Sequence, residues 1–340
     1  MIMNILLTFD YELYLGKKSG SVTNCLIKPT SSIIDILTKT QSKAIFFIDS
    51  TYLWKLSEVK ELYSKANEDY IKIKNQISIM AENGHCIYLH IHPHWVDAKY
   101  NPKDNDWDLS NHTKFTFQNL SEDEKKLVFV SSLNALKDIN DNLEQEMIGF
   151  RAGGLYIQPF SELKSFFEKY NIMYDFSVLP GFISNNKDFS FNFSQILSDN
   201  PYSFNNNVSI KEDGCFTEIP ISSFKMNLAQ KIINSFWYRF IMSDNDKTVM
   251  GDGKNSGNII KTSGVNFKKY FHTNETYSIE LINRYKSSLY TKMLNKEKYI
   301  HFISHPKLIS EYNLIQFENW LKEIASKYFI ETDFKKILSE

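Results

Sequence analysis

Four of the chain's eight histidines, His85, His90, His92 and His94, fall within the twelve residues from Gly84 to Trp95. Imidazole is the commonest protein ligand for transition metals, and its charge changes near neutral pH. Any one of these rings has an ordinary explanation as a solvated or hydrogen-bonded group at a strand end. As a group they have the composition of a metal site. Two carboxylates, Asp10 and Glu12, follow a separate apolar run, and Arg151 and His305 each follow another. Asp10 could be a turn cap, Arg151 half of a surface ion pair, and His305 a satisfied ring beside a turn proline. Their common position, just past the ends of apolar runs, argues for chemistry instead.

Those runs read as strands. Cys86 to Leu89 is short and apolar and follows a helix-stopping glycine, which suits a buried parallel strand. On a straight strand His90 and His94 would stand about 13 Å apart, too far to share an ion whose bonds to nitrogen are about 2.0–2.1 Å. Pro93 breaks the strand, and a turn through Ile91 to Pro93 would swing His94 back beside His90. Asn4 to Phe9 is a strand, Pro29 precedes a helix that runs through about Thr40, and Lys43 to Ile48 is the next strand. A stripe of Tyr70, Ile73, Ile77 and Met80 marks a helix that stops at Gly84. Ser121 to Glu124 forms a capping box that opens another helix. Strands follow at Met147 to Phe150 and Ile172 to Val178, with a helix marked by Phe160, Leu163, Phe167 and Tyr170 between them.

This alternation predicts one α/β domain over residues 1–340, whose chemistry belongs at the C-terminal ends of the strands. Between Gly181 and about Gly264 the rhythm is lost, and the stretch reads as an insertion. Its glycines at 251–257 lack both the Lys-Ser/Thr and the preceding strand of a phosphate loop, so they read as a surface loop. A helix from Tyr277 to about Leu294 and a strand from Tyr299 to Ser304 lead to His305.

A net charge of −1 and the absence of basic runs interleaved with aromatics remove the case for nucleic acid. Cys25, Cys86 and Cys215 are odd in number and far apart, as expected of reduced thiols. The chain enters its first strand before any signal-like apolar region, which gives the expectation of a cytoplasmic protein. No uncharged apolar stretch is long enough to span a bilayer. The nearest is Leu228 to Met242, interrupted by Lys231 and Arg239. It reads as core packing, with a helix resting on a membrane or a partner as the alternative.

The strand-end motifs resemble those of the polysaccharide deacetylases, the NodB-like carbohydrate esterases (family 4). They are Thr8-Phe9-Asp10-Tyr11-Glu12, His90-Ile91-His92-Pro93-His94, Phe150-Arg151-Ala152-Gly153-Gly154, Asp175-Phe176-Ser177 and Ile303-Ser304-His305-Pro306. The resemblance implies a distorted (β/α) barrel of the NodB deacetylase type, with an insertion between the later strands. It also implies one divalent metal, zinc before cobalt, nickel, iron or manganese, and removal of an acetyl or other acyl group from an amino sugar or glycan precursor. Tyr11 stands where the family often has a second aspartate, so Glu12 is assigned to the metal with His90 and His94. Asp10 is then the general base, held by Arg151, although the two acids could exchange roles. His305 is expected to protonate the leaving group, with Asp175 orienting it, and backbone N–H groups of Gly153, Gly154 and Leu155 to face the oxyanion. His92 is expected beside the ligands or the substrate, Trp95 against a sugar or buried, and His85 in a structural role. The function implied is surface polysaccharide biosynthesis. An amidase acting on a small non-sugar amide and a non-catalytic glycan-binding protein are the alternatives.

Overall fold

The computed structural model describes residues 2–139, 147–185, 190–254, 272–297 and 299–339. Its centre is a nine-stranded sheet. Strand β1 (Ile2–Tyr11) pairs in parallel with β2 (Ile45–Asp49) on one side and with Tyr299–Ser304 on the other, and takes a short parallel strand, Phe329–Glu331, along its first residues. From β2 the sheet continues in parallel through β3 (Cys86–Ile91), Gly149–Ala152, Tyr174–Asp175 and Phe216–Glu218. It ends in an antiparallel strand, Tyr202–Phe204. The result is a curled parallel sheet forming a half-barrel, as the distorted-barrel expectation requires.

Alternation along the strands divides the core. Ile5, Leu7 and Phe9 of β1 and Ile87, Leu89 and Ile91 of β3 join the large apolar cluster, to which the helices contribute. Leu6 of β1, Phe47 of β2 and Tyr88 of β3 point the other way, into a smaller cluster with Phe176 and Phe334. Thr8, Asp10 and Glu12 continue the inner face of β1, and His90 and His92 continue that of β3.

The helices that hold these strands are α1 (Lys28–Lys39), α2 (Ser50–Val59), α3 (Ser64–Glu82), α4 (Glu122–Lys137) and α5 (Ser161–Tyr170). Helix α4 starts on the capping box expected from the sequence: Ser121 accepts from the Glu124 N–H and donates its own N–H to the Glu124 carboxylate. Helix α3 is followed at once by Gly84, whose φ of +73° suits glycine.

The expected insertion is less separate than its composition suggests. Phe216–Glu218 and Tyr202–Phe204, both inside residues 181–264, are strands of the main sheet. Ser223–Asn227 forms a hairpin with His272–Thr276. Residues 255–264, including the end of the glycine-bearing loop, lie outside the described residues. Gly251 and Gly253 pack against the Tyr14 ring.

Candidate active site

Strand β3 runs two residues further than its apolar run implies, to Ile91, and His92 keeps an extended backbone. His90 and His92 are therefore two residues apart in extended chain, and their rings share the inner face. His92 Nε2 lies 3.0 Å from His90 Nε2, and both meet Glu12 Oε2, at 2.5 and 3.1 Å. The donor atoms of Glu12, His90 and His92, all buried, lie within 4.8 Å of one another. The turn at Pro93 does not return His94 to this point. The ring of His94 stacks on Phe115 at 5.3 Å, and both its nitrogens are buried without a hydrogen-bond partner. So the group assembled among the described residues contains His92 where His94 was expected, because the strand continues past the residue at which the turn was placed.

This donor set fits a divalent metal. His90 Nδ1 donates to the Arg151 carbonyl oxygen at 2.8 Å, which turns Nε2 toward Glu12 Oε2. Such support of a ligating histidine from behind is usual at metal sites. Two imidazole nitrogens and a carboxylate oxygen converging on one buried point could share a cation, and two histidines with a glutamate form a common zinc set. Burial would raise the Glu12 carboxyl, but Lys307 and the two histidines hold it well below the usual range. Lys307 Nζ donates to Glu12 Oε1 at 2.8 Å and to the Leu13 carbonyl at 2.6 Å, fixing which oxygen faces the histidines.

Asp10 stands beside this group. Arg151, fully buried, donates from Nη1 to Asp10 Oδ1 at 2.5 Å, from Nη2 to Thr8 Oγ1 at 2.9 Å and from Nε to the Phe176 carbonyl at 3.0 Å. Its guanidinium lies 4.0 Å from the centre of the Phe47 ring. Burial would raise Asp10, yet Arg151, then His90 and His305, bring it below its ordinary value. His305 Nε2 approaches Asp10 Oδ2 at 3.7 Å and Glu12 Oε1 at 3.8 Å. Its side chain is 26% exposed, so the centre reaches solvent on this side.

The partner of His305 is Glu280 rather than Asp175. Glu280 Oε1 lies 3.1 Å from His305 Nδ1, and its Oε2 accepts the His305 backbone N–H at 2.6 Å. Burial would lower this imidazole, but Glu280, with Asp10 and Glu12, raises it to about 9. Asp175 lies between Tyr174 and Phe176, which face the inner cluster, so it points to the other face. There it accepts from Ser177 Oγ at 2.7 Å and sits against Glu218. Glu280 escapes sequence reasoning because Tyr277 to Leu294 reads as one helix, whereas the helix begins only at Arg284. Lys307 leaves one signal, a lysine two residues past a motif histidine.

Trp95 is also placed differently from a sugar platform. It has no exposed surface, its indole N–H donates to Asp49 Oδ2 at 2.8 Å, and it packs on Tyr52 and Trp107. Asp49 caps α2 through the Tyr52 N–H, so Trp95 ties the histidine turn to that helix. Gly153 lies against His92, and a Cβ there would come within 2.5 Å of Nδ1. Gly154 and Leu155 follow with φ of 60° and 65°, in a tight turn beside the centre. His85 accepts the Ala44 N–H at 3.3 Å, away from the cluster.

No family model matches the chain, and no curated protein sequence matches it. Solved structures to which it is similar include a Mycobacterium smegmatis protein assigned as a polysaccharide deacetylase, with a TM-score of 0.49 and 13% identity over 98% of this chain and 88% of that one. An allantoinase gives a TM-score of 0.48 and 10% identity over 96% and 86%. The catalytic domain of a peptidoglycan N-acetylglucosamine deacetylase from Eubacterium rectale gives 0.38 and 14% over 97% and 88%. These likenesses are too distant to decide chemistry, which rests on the residues themselves. The deacetylases among them are of the family that the strand-end motifs resemble.

Proposed function

We propose that this protein is a metal-dependent hydrolase that removes an acetyl group from an amino sugar or glycan precursor. The observation that carries the reading is the meeting of three pairs at one partly open point: His90 with His92, Glu12 with Lys307, and Asp10 with Arg151, with His305 facing both acids. Glu12, His90 and His92 would hold the ion, zinc first by donor type. When bound, the ion supplies Lewis acidity toward a carbonyl oxygen and a water.

The remaining roles belong to the chain. Asp10, kept ionised by Arg151, takes a proton from the attacking water as general base. His305, positively charged through Glu280, gives a proton to the departing nitrogen or oxygen. Arg151 holds the Asp10 carboxylate and turns its other donors to Thr8, His301 Nε2 and the Phe176 carbonyl, so the base has one orientation. Gly153 leaves room for the His92 ring, and the Gly154–Leu155 turn offers backbone N–H groups beside it to a developing oxyanion. A binding protein would have no use for a paired base and a charged imidazole beside a metal set. We place the reaction in surface polysaccharide assembly in the cytoplasm, which is a reading of the sequence.

Acetate release tests it. Purified protein supplied with zinc should release acetate from an N-acetylated amino sugar or its nucleotide-linked form, and lose the activity to a chelator. Release of acyl groups only from small non-sugar amides would move the assignment to amidase. No hydrolysis of any acyl amide or ester would overturn it.

A further inference from the structure

Helix α6 (Leu228–Phe236), continued by a wider helical turn over Trp237–Ile241, is built inside out. Gln230, Lys231, Asn234 and Trp237 occupy its half-buried positions, and Asn234 Oδ1 accepts from Asn283 Nδ2 at 3.0 Å. Leu228, Ile232, Phe236 and Phe240, spaced four apart along one stripe, are 41%, 60%, 55% and 72% exposed. Ile233 and Ile241 are also exposed, at 46% and 54%. A helix at an ordinary protein surface presents its polar side to water and its apolar side to the core. A contiguous apolar face of this kind marks an interaction surface rather than scattered exposure.

Within Leu228–Ile241 the charged residues are Lys231 and Arg239, both cationic; the acidic Asp244 and Asp246 follow just beyond it, with Lys247. An apolar stripe that carries aromatic residues, on a helix whose own charged residues are all cationic, is the pattern of a helix lying in the plane of a membrane interface. A second copy of the chain is a poorer occupant, since a two-fold pairing of this face would bring like charges together. No helix among the described residues is long and apolar enough to cross a membrane, so the contact would be peripheral.

We propose that Leu228–Ile241 docks on the surface of an anionic lipid bilayer, with its apolar stripe in the headgroup boundary and Arg239 toward lipid phosphate. The Asn234–Asn283 hydrogen bond ties the docked helix to the segment that carries Glu280. The inference goes beyond the hydrolase reading and does not depend on it.

Sedimentation with lipid vesicles tests it, using the full chain and vesicles of phosphatidylcholine with or without phosphatidylglycerol. The protein should sediment with the anionic vesicles and lose this at high salt. The double variant Phe236→Asp/Phe240→Asp should bind about tenfold less or weaker still, and Arg239→Gln about fivefold less. Equal melting temperatures would establish that the variants fold. If the double variant does not fold, Arg239→Gln and the salt dependence of the parent decide the matter. Absence of sedimentation with anionic vesicles would overturn the proposal, as would binding indifferent to salt and to these substitutions. A stable dimer that dissociates on Phe240→Asp, without vesicle binding, would also overturn it and assign the face to self-association.

Discussion

Two pairs of acidic side chains are buried in this molecule, and they behave oppositely. Asp10 and Glu12 lie at the end of β1, each with a cation of its own: Arg151 on Asp10, Lys307 and the histidines on Glu12. Both are held below the ordinary carboxylate range despite burial. Asp175 and Glu218 lie on neighbouring strands against each other. Burial and the charge of Asp175 push Glu218 well above its usual value, and burial raises Asp175. The Glu218 Oε2 atom meets no N–H or hydroxyl donor. Burial is therefore common to both and decides nothing. What separates them is a cation for every carboxylate, histidine nitrogens gathered at one point, and an opening at His305.

The comparison breaks first at Asp10. Asp10→Asn should retain bound metal and lose acetyl hydrolysis by about 10²–10⁴-fold; loss of metal instead would make Asp10 the ligand. Arg151→Met leaves the Asp10 charge buried without its partner and should cost about 3–5 kcal/mol in denaturant unfolding. Glu280→Gln should lower kcat by roughly 10–100-fold, with metal content unchanged, and Glu280→Asp should recover part of the loss. If the substitution leaves the rate intact, Glu280 does not position His305.

The second pair gives smaller effects. Its carboxyls have folded pKa values above their unfolded ones, so the stability they contribute is complete at low pH and is lost as pH rises through the folded values. Glu218→Gln removes that slope. The variant should melt about 2 °C above the parent at neutral pH and converge with it below about pH 4, in melting curves recorded across pH. A lower melting temperature at neutral pH would mean that the pair is held as an ion. Trp95→Phe should cost about 1 kcal/mol through the lost bond to Asp49 and leave KM for a sugar substrate unchanged, because the indole is sealed from substrate.

Much of this was legible in the chain. The strand-helix alternation gave the parallel sheet, and the positions of Asp10, Glu12, His90, Arg151 and His305 after apolar runs gave the edge where they gather. What was lost follows from local rules that tertiary structure overrides. Pro93 was given the power to end a strand early, but β3 pairs with its neighbours through His90 and Ile91, and that carries His92 into the group. Glu280 was absorbed into a helix that begins four residues later. Asp175 was matched by motif order, which carries no information on the face a residue takes. The apolar run at Leu228 was read as core, since sequence shows periodicity and not which side is inward.

The choice between His92 and His94 tests the account most directly. Metal content should be measured on the purified parent, His92→Ala and His94→Ala after equilibration with zinc and removal of the excess. The parent and His94→Ala should each retain about one equivalent, and His92→Ala should retain little. Retention by His92→Ala with loss from His94→Ala would contradict the site described above.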